Sequence, residues 1–191
     1  LVQRILEGHT HEFGMVIKNT EGLVAQIIFK MVSNGEDRKD LVQDVYLKAF
    51  KGLAKFRFRS KLSTWIGQIA YNTCLNYLEK NRPVLIERTD EEEKTEEETL
   101  DLLNNNVNIS YNNEIEKLIH RKELSVILKK EIEKLTPVYR TLITLYHNEE
   151  MTYAQIGEVA QLPEGTVKNY LYRARKEIKK NLLAKFEKHE L

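Results

Sequence analysis

Between Val167 and Lys180 the chain carries Lys168, Arg173, Arg175, Lys176, Lys179 and Lys180 against a single acid, Glu177. Like charges four residues apart on a helix repel, so such a run is built to meet something negative. Projected at 100° per residue, Val167, Leu171, Ala174 and Ile178 fall on one stripe. Lys168, Asn169, Tyr172, Arg173, Lys176, Lys179 and Lys180 surround the other side. The chemistry available there is base and phosphate recognition. A Lys or Arg donates to guanine O6 and N7, an Asn pairs two ways with adenine, and a Tyr edge meets a thymine methyl. Gly165 at the helix start leaves room for a phosphate backbone to approach, the free amides and dipole there favour an anion, and Thr166 adds a hydroxyl donor. Lys179 and Lys180 serve equally as solubility charges.

A second set lies in FRFRSKLSTWIGQIAYNTCLNYLEKNR, Phe56 to Arg82, where aromatics, amides and cations interleave as in single-strand binders. Trp65, Asn72 and Asn76 share one sector of a helix. An aromatic plane can prop an opened base pair, and side-chain amides can read the edge of an extruded base. Lys48, Arg57, Arg59 and Lys61 would hold phosphates. The residues alone leave a plainer alternative open, with Trp65 in a core and Asn76 a surface amide.

The elements that must position these groups read as helices, since apolar residues recur at three and four spacing and nothing shows the sustained alternation of a strand. An amphipathic helix is expected over Asp40–Phe56, behind an NGED loop, with Leu41, Val45, Tyr46, Leu47, Phe50 and Leu53 as its apolar set; a second spans Leu62–Lys80. Thr136 with Pro137 reads as a cap and first helical position, and Thr152 with Gln155 as a capping box. The short helix from Thr152 to Ala160, a turn around Gln161 and the basic helix make a helix-turn-helix, whose second helix fits the DNA major groove. The expected fold class is all-α, in two small bundles.

Charge divides the chain into three. Residues 1–82 hold 13 basic and 8 acidic residues, 83–113 hold 2 and 9, and 114–191 hold 15 and 12, within a net charge of +1. The middle part clusters acids and asparagines with few large apolar residues, so it cannot bury enough surface to fold alone; it reads as a flexible acidic linker after Pro83. With 41% hydrophobic residues, each flank can form its own core. Cys74 is the one cysteine and reads as a buried small apolar residue. The five histidines have no ligand spacing, so no disulfide framework, metal or cofactor is expected. No phosphate loop, nucleophile elbow or histidine–carboxylate spacing suggests an enzyme. No signal or membrane-spanning segment is visible, which gives a cytoplasmic expectation.

DLVQDVYLKAF, then FRFRSKLSTWIGQIAYNTCLNYL, then MTYAQIGEVAQLPEGTVKNYLYRARKEI, in that order and separation, resemble the extracytoplasmic-function sigma factors of bacterial RNA polymerase. The resemblance implies that residues 1–82 form region 2, which binds core polymerase and melts the minus-ten element. Residues 83–113 would be the linker in the polymerase cleft, and 114–191 region 4, which reads the minus-thirty-five element. It places Asp40, Gln43 and Asp44 against the polymerase clamp, and a flipped minus-ten base among Lys48, Phe56, Asn72 and Asn76, shaped by the loop from Arg57 to Leu62. Upstream recognition maps onto Thr166, Lys168, Asn169, Tyr172 and Arg173, with Gly165 near the phosphate backbone. The implied partners are core polymerase, promoter DNA and an anti-sigma factor. The chain departs from the family at Asn169 and Tyr170, where Ser then Arg are common, at Gln161 in a turn that commonly holds Gly, and at Phe58 and Arg59, where small or acidic residues are usual. Two other classes fit parts of the pattern: a dimeric helix-turn-helix regulator of duplex DNA, and a structural adaptor for an acidic protein. The aromatic–amide helix argues against the first, which has no need to hold unpaired bases.

Overall fold

The computed structural model describes residues 1–81 and 114–186, so the expected acidic linker, 83–113, lies outside the described residues. Those residues are helical throughout, apart from short turns. In chain order they form α1 (Val2–Leu6), a 3-10 turn at Thr10–Glu12, α2 (Phe13–Met31), α3 (Gly35–Gly52), a 3-10 turn at Leu53–Lys55, α4 (Leu62–Lys80), α5 (Glu114–Lys134), α6 (Pro137–His147), α7 (Tyr153–Ala160) and α8 (Glu164–Phe186). The all-α expectation holds.

Local chemistry sets the helix ends. At α6 the Thr136 hydroxyl accepts from the Tyr139 amide at 3.4 Å, with Pro137 in the first turn. At α7 the Thr152 hydroxyl accepts from the Gln155 amide at 3.2 Å, and the Gln155 side chain accepts from the Thr152 amide at 2.9 Å. Two orphan donors are thereby satisfied reciprocally. The third helix begins earlier than the sequence suggests. NGED is no loop: the Asn34 side chain accepts from the Glu36 amide at 3.0 Å, and Glu36 and Asp37 lie in the first turn, where the helix dipole favours acids. That helix closes at Gly52, and a 3-10 turn carries the chain on to Phe56.

Val24, Ile27 and Ile28 of α2, Val45 and Ala49 of α3, and Ile66, Ala70 and Cys74 of α4 form the centre of the first bundle, all buried. Burial pushes the Cys74 thiol up to about 12, against the opposing charge of Lys48, so it is an inert core group. In the second bundle Leu142 and Leu145 of α6, Ile156 and Val159 of α7, and Val167, Leu171 and Ala174 of α8 are buried. Each fully buried aliphatic side chain contributes roughly 1.5–3 kcal/mol, so the apolar stripe of α8 holds its polar face outward.

The two bundles pack on each other, α2 against α6 and α4 against α7, and their buried residues are continuous. Gly67 makes the close approach possible: a Cβ there would lie 3.3 Å from both Leu23 Cδ2 and Val159 Cγ2. Around this apolar seam, Gln26 Nε2 donates to Glu149 Oε1 at 2.6 Å, and Arg140 Nε donates to the Lys30 carbonyl at 2.6 Å. Glu133 pairs with Lys30 from the first bundle and, at 3.2 Å, with Arg140.

Candidate nucleic-acid interface

The outer face of α8 is assembled by the packing of its other side. With Val167, Leu171, Ala174 and Ile178 buried, Lys168, Tyr172 and Lys176 are exposed, and Asn169 and Arg173 half-buried beside them. Gly165 and Thr166 open the helix, and nothing lies within 4 Å of where a Gly165 Cβ would stand. Positions 165, 168, 169, 172, 173 and 176 follow helical spacing, so these groups lie along one face. Tyr172, half exposed at 50%, is the large ring offered there. Tyr170, by contrast, turns inward, its ring meeting that of Tyr139 edge-on at 5.4 Å.

The turn before α8 is held by two positions. Gln161 ends α7 in the left-handed region, at φ 56° and ψ 41°, and the Leu162 amide donates to the Gly157 carbonyl at 3.0 Å. Gly157 is where the chain doubles back so closely that a Cβ would sit 2.7 Å from the Leu162 carbonyl oxygen. The sequence marks the turn at Gln161, but the steric need for glycine falls four residues earlier. A further contact braces the motif: Tyr146 stacks on Tyr153 at 5.2 Å, and the Arg175 guanidinium lies 4.9 Å over the Tyr146 ring. Arg175 is therefore tied to the bundle while Lys168 and Lys176 face outward.

In the first bundle, α4 carries Trp65, Asn72 and Asn76, with Trp65 and Asn72 half-buried and Asn76 exposed. Phe56 is buried, its ring 5.2 Å from Trp65 and 4.8 Å from Phe58, so three mutually tilted rings cluster at the loop. A Cβ added at Gly52 would stand 3.4 Å from Trp65 Cζ2, so the ring packs against a glycine. Phe58 is 68% exposed and holds φ 56°. A bulky residue in that region is an outlier, and such strain concentrates at functional loops. Arg57, Arg59 and Lys61 are exposed around it. Lys48, on α3, bonds to Thr73 Oγ1 of α4 at 3.2 Å and pairs with Asp44 at 2.9 Å, which sets its ammonium at the α3–α4 junction. A recess of about 220 Å³ opens beside the loop, lined by Arg59, Ser60, Thr64, Trp65, Gln68 and Glu158 of α7.

Asp40, Gln43 and Asp44 of α3 are exposed. Leu47 continues their stripe at 50% exposure and Phe50 is 40% exposed, although helical spacing places both on the apolar set. Phe50 meets Phe13 edge-on, with ring centroids 5.1 Å apart. The stripe 40, 43, 44, 47 is thus polar with an apolar end at Leu47, open to a partner. Among the described residues no helix is long and apolar enough to cross a membrane.

Two family descriptions fit this arrangement. Sigma-70 region 2 matches residues 16–84, and sigma-70 region 4 matches residues 125–178. The chain belongs to the sigma-70 family. Its relatives place it among the extracytoplasmic-function sigma factors of RNA polymerase. The ECF RNA polymerase sigma-E factor of Escherichia coli K12 is 29% identical over 182 residues, covering 93% of this chain and 90% of that one. The RNA polymerase sigma-H factor of Pseudomonas aeruginosa is 28% identical over 182 residues, covering 95% and 92%. SigW of Bacillus subtilis, an ECF sigma factor, is 26% identical over 181 residues, covering 95% and 94%. Among solved structures, CnrH in complex with the cytosolic domain of CnrY superimposes with a TM-score of 0.61 at 18% identity, covering 96% of this sigma factor and 95% of that chain. RpoE of Bartonella quintana in complex with the anti-sigma factor NepR gives 0.59 at 20%, covering 90% and 96%. At those identities the likeness is one of fold.

Proposed function

We propose that this sigma factor binds core RNA polymerase through α3 and directs initiation at promoters whose minus-thirty-five element it reads as duplex and whose minus-ten element it holds as an opened strand. Residues 1–82 act as region 2, 83–113 as the connecting linker and 114–191 as region 4. On α3, Asp40, Gln43 and Asp44 supply the polar part and Leu47 the apolar end of the polymerase contact; exposed charges alone contribute little.

The face of α8 carries the upstream half of the reading. Lys168, Asn169, Tyr172 and Arg173 reach base edges, each good contact contributing ~1–3 kcal/mol of discrimination. Gly165, Thr166 and Lys176 meet phosphates. Downstream, Trp65 props the opened step and Asn72 and Asn76 read the extruded base, with Lys48 and Arg57 on phosphates. Phe56 acts from beneath, by holding the Trp65 ring in place. The polymerase supplies the chemistry of synthesis.

The observation that carries this reading is the pairing, in one chain, of a helix-turn-helix with an aromatic–amide helix flanked by a cationic loop. Because the structural neighbours are complexes with CnrY and NepR, an anti-sigma factor is the expected regulator, and the factor works in the cytoplasm. Run-off transcription with purified core enzyme on a library of start sites tests the whole. It should give products that need both core and this factor, and Arg173→Ala should alter promoter choice. A gel shift in which the protein alone binds duplex DNA specifically as a dimer would instead establish a conventional regulator.

A further inference from the structure

Phe58 sits in a conformation that its own packing does not explain. Its φ of 56° lies in the left-handed region, which a side chain with a Cβ enters only against steric resistance. Burial does not offset that strain, because apolar stabilisation grows with the area removed from water and this ring stays 68% exposed. Strain left uncompensated by the fold points to a role toward a ligand.

The surroundings say which ligand. Phe58 leans on buried Phe56, with centroids 4.8 Å apart and planes at 53°, and Phe56 in turn meets Trp65 at 5.2 Å and 40°. One buried ring thus fixes two outer ones, Trp65 on α4 and Phe58 on the loop, close enough to serve one short run of unpaired bases. Arg57, Arg59 and Lys61 are exposed on either side of Phe58 along the chain. The order cation, ring, cation over Arg57, Phe58 and Arg59 complements a strand that alternates phosphate and base, since cations track the backbone while any base can cover an aromatic face.

We propose that Phe58 is a second base platform: it stacks on the unpaired base next to the one that Asn72 and Asn76 read, so that the opened strand is held at two neighbouring positions. This rests on the assignment of α4 to the opened strand and adds a position to it. The outer position has stacking but no amide readout, so its selectivity is a modest preference for the larger face of a purine. The strained backbone is the loss of stability that presenting the ring entails.

Phe58→Gly tests this, since glycine takes φ 56° without steric resistance. Its urea midpoint should equal or exceed that of the unaltered protein. Holoenzyme assembled from purified core and each variant is then titrated with a fork-junction promoter, taken from the run-off selection, whose single-stranded bases are replaced one at a time by abasic sites. The unaltered factor should show two adjacent positions where loss of the base weakens binding, the outer one by about 5–150-fold. In Phe58→Gly the outer penalty should vanish, the inner should remain, and purine and pyrimidine should become equivalent at the outer position. Phe58→Trp should keep both penalties, whereas Phe58→Leu, apolar but without an aromatic face, should behave as Phe58→Gly. The inference is overturned if Phe58→Gly binds the intact fork as tightly as the unaltered protein, or if Phe58→Leu keeps the outer penalty. Asn72→Ala separates this inference from the reading beneath it. If that change removes the inner penalty while Phe58→Gly removes none, α4 holds the strand and the platform is refuted; if it alters no penalty while Phe58→Gly removes one, the platform stands and the role given to α4 is wrong.

Discussion

Gln161→Gly and Gly157→Ala should move stability in opposite directions, though both act on the same turn. Gln161 holds φ 56° and ψ 41°, a conformation costing an L residue roughly 1–2 kcal/mol. Glycine removes that cost but loses more backbone entropy on folding, roughly 0.5–1 kcal/mol. The balance is a stabilisation of about 0.5–1 kcal/mol, because Gln161 is exposed and gives up no buried contact. At 157 the sign reverses. A Cβ would stand 2.7 Å from the Leu162 carbonyl oxygen, which is backbone and cannot swing aside, and overpacking of this kind costs ~1–3 kcal/mol. Urea unfolding followed by circular dichroism reads both. With a slope of ~2 kcal/mol per molar, the midpoint should rise by ~0.3–0.5 M for Gln161→Gly and fall by ~0.5–1.5 M for Gly157→Ala. If Gln161→Gly lowers the midpoint, the turn is not strained at that residue and the account of its geometry is wrong.

Replacing Lys168 with Ala should weaken promoter binding by the holoenzyme and make its fall with salt shallower by about one unit of log–log slope, as expected for one lost phosphate or base-edge cation. Trp65→Ala and Asn72→Ala should reduce permanganate-reactive thymines in the assembled promoter complex while leaving upstream protection of the minus-thirty-five element unchanged. For Glu133, burial opposes ionisation, but the Lys30 hydrogen bond and the charges of Lys30, Arg140 and Lys129 outweigh it, holding the carboxyl below its ordinary 4.5. A lowered folded value means its contribution is present above 4.5 and lost as pH falls through the lowered value. Energy transfer between dyes on the two bundles should therefore drop in acid, and Glu133→Gln should blunt that part of the change.

Much of the second bundle was legible because caps are local. Thr136 with Pro137 and Thr152 with Gln155 bond within three residues of themselves, so their types and spacing suffice. The limits Leu62–Lys80 were equally readable from apolar period alone. Asn34–Gly35 misleads because the pair that often makes a turn here makes a cap, and only the bond to Glu36 distinguishes them. Leu47 and Phe50 fall on a helical stripe, yet periodicity cannot tell an apolar residue facing a core from one left open. The seam leaves no periodic trace. Gln26 and Glu149 are 123 positions apart, and a glycine in mid-helix such as Gly67 reads as a weakness until the neighbour that fills its place is known. The same holds for Phe58, whose left-handed backbone no residue preference announces.

The fit at Gly67 also bears on how such proteins can be recombined. Halves that met only through a tether could be exchanged between relatives like beads, each keeping its own behaviour. Here the hollow on one half is filled by a methyl group of the other, so a hybrid carrying a foreign second half would inherit an ill-matched joint.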